Sequence, residues 1–198
     1  MSLIKLNNNS ISAVTALPSA IESPIQLLKT TTITSGVSSA VFGNGVGGLV
    51  FDGTYNTYEI IISDLDTETA GEDLILQISD DAGSSFKTSG YKTVSSRVGF
   101  DGSSTINDTL SATNCHKILE NLNALKTGFA RIFIDKPNVS NYQTIQSHGS
   151  NRNSSTTAKI FDINTSTFYD ANIVCNGFRI MCSSGNITQA VIRVYGIK

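Results

Sequence analysis

Gly43-Asn44-Gly45-Val46-Gly47-Gly48 has the G-x-G-x-x-G spacing of a dinucleotide-binding loop. In that chemistry the loop must open a helix, whose first amides hold the pyrophosphate. Here it runs into Leu49-Val50-Phe51-Asp52-Gly53, which is strand-like and too short for a helix. It reads as a glycine loop between strands. Asp64-Leu65-Asp66-Thr67-Glu68 and Glu72-Asp73 gather oxygen ligands of the kind that bind calcium. They lack the glycine and the terminal bidentate glutamate of a dedicated loop, so a solvated loop is expected. His116 and His148 are the only histidines, and neither stands in an H-E-x-x-H array. Cys115 precedes His116 directly, a poor arrangement for a nucleophile and its base. The aromatics include no tryptophan, and most fall at strand positions where core packing explains them. These residues assign no catalytic group, no cofactor site and no metal site, and the expectation is a protein that is not an enzyme.

One motif has a clear local mechanism. Ser79-Asp80-Asp81-Ala82-Gly83-Ser84-Ser85-Phe86 places an acceptor at Asp81, a residue tolerant of positive φ at Gly83, and an apolar anchor at Phe86. Asp81 takes nearby backbone amides, Gly83 reverses the chain, and Phe86 packs back on the sheet. The expected role is structural, a hairpin turn between a strand ending near Ser79 and one starting near Lys87.

The elements around these residues are extended. From Thr30 onward the apolar period is two: Tyr58, Ile60, Ile62; Leu74, Leu76, Ile78; Ala130, Ile132, Ile134; Phe178, Ile180, Cys182; and Ile192 with Val194. Asp52-Gly53, Asp101-Gly102 and Ser184-Gly185-Asn186 punctuate them. Short strands with regular turns predict an antiparallel sandwich or barrel over residues 30–198. One segment departs from that period. Ile118, Leu119, Leu122 and Leu125 recur at three and four residues, which predicts at most one short helix within Cys115–Lys126. Residues 1–29 differ again, with apolar pieces set among Asn and Ser and two prolines, Pro18 and Pro24. They read as an extended arm that packs on something else through Ile4, Leu6, Ile11, Val14, Leu17, Ile25, Leu27 and Leu28.

Composition excludes several partner classes. Among the 198 residues, 14 Lys+Arg face 16 Asp+Glu, a formal charge of −2, with 15% of residues charged. A nucleic-acid-binding domain needs a basic face, and a peripheral membrane protein a polybasic one. Neither partner is expected. No apolar run reaches the roughly 18 residues that insertion into a bilayer requires. The three cysteines are too few and too odd in number for a disulfide framework, and are expected as small buried residues. The leading residues lack the pattern of a secretory signal, so synthesis in a reducing cytoplasm is expected.

Three stretches resemble small β-sandwich structural proteins of tailed bacteriophages, of the marine and cyanobacterial type. They are Tyr55–Ile62 with Leu74–Gly83 and Ser89-Gly90-Tyr91, then Gly128–Pro137, then Gly177–Ile180 with Ser184–Ile187 and Ala190–Lys198. The ending, a Ser-Gly-Asn turn followed by a strand closing on Tyr-Gly-Ile, is the most specific piece, and Ile4–Asn8 with Ser12–Pro18 resembles the starts of such proteins. The motif at 79–86 is also similar to the Asp box of sialidase-like propellers, but a propeller needs repeated copies and one is present. The phage resemblance implies a jelly-roll-like sandwich and a homotrimer on the virion. It implies capsid decoration, cement or a short head fibre, held to major capsid or tail proteins by the arm. The alternatives are a tail fibre or receptor-binding protein recognising host-surface glycan, and a carbohydrate-binding or carbohydrate-active sandwich. The glycine loop near 44–48 and the segment 149–156 are the candidate recognition loops.

Overall fold

The alternating apolar sets do form strands, and they account for only part of the sheet. A computed structural model of the chain describes residues 23–45, 49–100, 105–106, 114–124, 128–152 and 160–198. Twelve strands follow in order: β1 Ile25–Ile33, β2 Ala40–Gly43, β3 Thr57–Thr67, β4 Leu74–Ser79, β5 Tyr91–Phe100 and β6 Thr105–Ile106, then β7 His116–Leu119, β8 Gly128–Asp135, β9 Asn141–Arg152, β10 Ile160–Ile173, β11 Gly177–Cys182 and β12 Ile187–Ile197. They build two antiparallel sheets. One has eight strands in the order β1-β12-β3-β8-β9-β10-β5-β6, the other four in the order β2-β11-β4-β7. The protein is an all-β antiparallel sandwich.

Between the sheets lies a core drawn from the faces that the period of two marks out. Tyr58, Ile60 and Ile62 of β3, Ile132 and Ile134 of β8, and Ile192 and Val194 of β12 are fully buried against Leu76 and Ile78 of β4 and Phe178 and Ile180 of β11. Burial of these large side chains supplies the main favourable term of folding. Gly196 on β12 is a glycine because a Cβ there would lie 2.4 Å from the Tyr55 ring. That ring in turn donates its hydroxyl to Gln26 at 2.6 Å, fastening the start of β1 to the body.

Two local expectations are corrected. No helix occurs among the described residues of 115–126; His116–Leu119 is strand, laddered to β4 through Leu76↔His116 and Leu74↔Leu119. β4 would otherwise present an open edge, and pairing it satisfies backbone groups that a helix of one turn could not. Asn121, at φ +51°, then takes the chain into the left-handed region and ends any helical path. The second correction concerns the turn after β4. The expected hairpin partner does not form: β5 begins at Tyr91 and belongs to the opposite sheet. The chain returns only as far as one backbone bond, Lys87 N–H to Ile78 C=O at 2.9 Å, before crossing over. β1 likewise spans Ile25–Ile33 as one strand on β12, running across the expected boundary between residues 29 and 30. Pairs Thr30↔Arg193 and Thr32↔Val191 continue the register that starts at Ile25↔Ile197, with a bulge between Leu27 and Lys29.

Candidate interaction surface

An antiparallel sheet packed on one side normally turns a polar face to water. The outer face of the eight-stranded sheet is polar in the main but carries large apolar side chains as well. Ile25, Leu27, Val94, Val98, Phe129 and Phe168 point outward from it, each between 45% and 61% exposed, as do Tyr142 and Ile160. Scattered exposed apolar residues are ordinary; a concentration on one face marks a contact surface.

The strand register sorts this face into rows. Across β8, β9, β10 and β5 one row reads Phe133, Gln146, Ser166, Val94. The row beside it reads Asp135, Thr144, Phe168, Lys92. On the other side come Arg131, His148, Asn164, Ser96, and then Phe129, Ser150, Asp162, Val98. Shallow depressions of about 350, 470 and 430 Å³ adjoin one another here, sharing Phe133, Gln146, Val94, Thr144 and Ser166 as walls. Several of the charges on the face are engaged within the subunit, while among the described residues Asp135 accepts only from the Thr57 hydroxyl. Arg131 is paired with Glu59 and lies over the Phe133 ring at 4.9 Å. His148 Nε2 meets Asp162 Oδ1 at 2.7 Å, and Lys92 stands 3.8 Å from Asp170.

A different chemistry fills the space beneath β5, β9 and β10. His116 of β7 is fully buried, with Nδ1 2.8 Å from Thr167 Oγ1 and Nε2 2.9 Å from Ser147 Oγ. Thr93 Oγ1 joins Thr167 Oγ1 at 2.8 Å. Burial pushes the imidazole pKa down to about 3, so the ring is neutral at physiological pH. The resemblance to a serine–histidine pair ends there: no substrate reaches a wholly enclosed ring, and the hydroxyls act as its hydrogen-bond partners. Nearby, Arg97 bonds Glu120 at 2.6 Å beneath the sheet, and Asn151 donates to the Glu120 carbonyl at 2.9 Å.

The residues singled out in the sequence fall in separate places. Ile25 and Leu27 are exposed on β1 and Leu28 is half-buried against the core; Ile4, Leu6, Ile11, Val14 and Leu17 lie outside the described residues. In the turn, Asp81 accepts from the Ser85 amide at 2.8 Å and from the Ser85 and Ser79 hydroxyls at 2.5 and 2.7 Å. Those bonds, that from the Ser85 hydroxyl foremost, hold its carboxyl down at about 2. Gly83 has φ +87°, and the Phe86 ring is capped by the Arg179 guanidinium at 4.5 Å. The acidic residues of 64–73 do not converge. Glu68 bonds Asn186, Glu72 bonds Ser183, and Asp73 holds Lys117 and the Asn121 amide. Among the described residues no group of three His, Cys, Asp or Glu side chains could hold a metal ion. All three cysteines are free and buried, and burial raises the thiols to about 11 for Cys115 and about 12 for Cys175 and Cys182. Of the two candidate loops, Gly149–Arg152 is part of β9, while 46–48 and 153–159 lie outside the described residues.

The sequence reading missed the outer face because it looked for one apolar face per strand. On β10 and β5 Phe168, Val94 and Val98 stand outside, while threonine and serine stand inside beside Tyr91, Phe161 and Ile163. No protein-family model and no curated protein matches the chain. Among solved structures it is similar to exo-inulinase from Aspergillus awamori, at 10% identity and a TM-score of 0.39. That likeness covers 88% of this chain and 29% of the inulinase chain.

Proposed function

We propose that the protein is a non-enzymatic structural component of a tailed-bacteriophage virion, carried on the particle exterior as capsid decoration, cement or a short head fibre. The observation that carries the reading is the outer face of the eight-stranded sheet, where large apolar side chains stand exposed among uncharged polar ones and several of the charged groups are engaged within the subunit. Such a face suits a subunit that works by abutting others. Residues 1–29 serve as the anchor, their last part lying along the sheet edge as β1 with Ile25 and Leu27 turned outward. An extended apolar segment attaches by lying in a neighbour's groove or adding a strand to its sheet. The phage resemblance adds a homotrimer as the assembled unit.

The experiment is localisation on purified particles. The expected result is density for this sandwich on the particle surface, at hundreds of copies for decoration or a few dozen for fibres. Loss of incorporation is expected when residues 1–22 are deleted. Particles that lack the chain, or full occupancy by the deleted form, overturn the assignment. A second reading draws on the depressions beside Phe133, Gln146 and Asp135, which offer a ring face, an amide and a carboxylate to a sugar. In that case the protein is a receptor-binding fibre or a carbohydrate-binding sandwich, and glycan-array binding by the isolated protein decides for it.

A further inference from the structure

The rows on the outer face are self-complementary under one particular symmetry operation. Consider a two-fold axis lying in the plane between two stacked copies, parallel to the strands, over the line between β9 and β10. It carries each strand of the group β8-β9-β10-β5 onto the strand equally far on the other side, and leaves each row in its own level. Asp135 on β8 then faces Lys92 of the second copy, since both belong to one row at its opposite ends. Phe133 faces Val94, and Phe129 faces Val98. In the middle, Gln146 faces Ser166 and His148 faces Asn164. Ser150 faces Asp162, and Thr144 faces the Phe168 ring as the one polar-to-apolar pair. Elsewhere acid meets base, apolar meets apolar, and amide or imidazole meets a hydrogen-bonding partner. Arg131 faces only Ser96, and its charge is met within its own subunit by Glu59.

From this pattern we infer that the outer face of β8-β9-β10-β5 is an isologous docking surface for a second copy of this chain. A two-fold contact uses the same patch on both subunits, so the patch must complement itself. Twisted sheets stack face to face with strands about 30° apart. The central pairs then meet most closely, and the long Lys92 side chain covers the offset at the corner. Four strands by four rows span roughly 19 Å by 27 Å, about 500 Å² on each subunit, near the ~1,000 Å² in total that a specific interface needs. The inference rests on reading this face as an assembly surface. It is independent of the anchor, because none of the paired residues lies in residues 1–29.

The test is a charge reversal read by sedimentation of the full chain. The wild-type protein is expected to sediment as pairs, or as pairs of the assembled unit. Asp135→Lys and Lys92→Asp each set like charges against each other twice per interface. Each variant is expected to associate at least about tenfold more weakly. An equimolar mixture of the two variants restores opposite charges at both contacts and is expected to regain wild-type pairing. Both sites are exposed, so folding is checked by an unchanged circular dichroism spectrum. A monomeric wild type, variants that pair like the wild type, or a mixture that stays dissociated overturns the inference. So does a monomer that binds glycan through this face and loses binding in Val94→Arg. Failure here leaves particle incorporation untouched, and failure of incorporation leaves solution pairing untouched, so the two outcomes are separable.

Discussion

The two halves of the sandwich interior are held by different mixtures of forces. Under β12, β3 and β8 the layer is aliphatic and aromatic, with Tyr58, Ile60, Ile132 and Ile192 fully buried against β4 and β11. Under β9, β10 and β5 it mixes Thr93, Ser147, Thr165, Thr167 and the ring of His116 with Tyr91, Ile145, Phe161 and Ile163. The first half gains from removing apolar area from water and tolerates no cavity. The second half gains from area at Tyr91, Ile145, Phe161 and Ile163, but depends in addition on its buried hydroxyls finding partners. β5 and β10 bury Tyr91, Phe161 and Ile163 but turn Val94, Val98, Ile160 and Phe168 outward, so the half with the mixed interior also carries apolar side chains on its exterior. The two features are one fact of strand register: a period of two that buries Thr165 must expose Phe168 or Asn164.

Substitutions can break this contrast. Ile132→Ala, at a fully buried position of the aliphatic half, is expected to lower unfolding free energy by about 2–5 kcal/mol in urea titration. A loss no larger than that at polar sites would mean the two halves are not energetically distinct. His116→Leu is expected to lose less, about 1–3 kcal/mol, because it leaves the Ser147 hydroxyl buried without its partner. The same variant tests a pH effect. The native ring has a pKa of about 3 against 6.5 when unfolded, so below pH 6.5 the unfolded chain takes up a proton that the native state refuses. Stability is complete above 6.5 and declines as pH falls toward 3, by up to about tenfold in the folding constant per unit. His116→Leu should flatten that part of the profile, and an unchanged slope would remove His116 as its source. The smallest effect has the opposite sign. Thr165 Oγ1 is buried with no hydrogen-bond partner among the described residues, so Thr165→Val is expected to raise stability by up to about 1 kcal/mol, measured as a higher urea midpoint. A destabilised Thr165→Val would show that the polar layer is fully satisfied.

The aliphatic half was legible in the sequence and the polar half was not, for one reason. Tyr58-x-Ile60-x-Ile62 and Ala130-x-Ile132-x-Ile134 announce both strand and buried face, because apolar and polar residues alternate. β9 and β10 are the longest strands, yet Gln143–Arg152 and Asn164–Thr167 offer no such alternation. Apart from Ile145, the inward residues of these stretches are polar or glycine, so the hydrophobic signal fades where the hydrogen-bonded layer begins. β7 misled in the other direction. Ile118, Leu119 and Leu122 keep a helical spacing, but the open edge of β4 and the hydroxyls around His116 outweigh a local preference of a few tenths of a kcal/mol per residue. The turn at 79–86 could be read residue by residue because its hydrogen bonds are local. Its destination could not be read, since crossing to the other sheet is settled by where β5 finds β10.

Local chemistry in the chain alone determined the class of the protein: an antiparallel sheet body, low in charge, with Asp81, Gly83 and Phe86 shaping one turn. Tertiary structure decided which side of β5 and β10 faces water, that His116 is enclosed by hydroxyls, and which residues of distant strands share a row. Alternation along a strand is written within a few residues, but the side that is buried depends on what packs against it, and that is fixed only when both sheets are assembled.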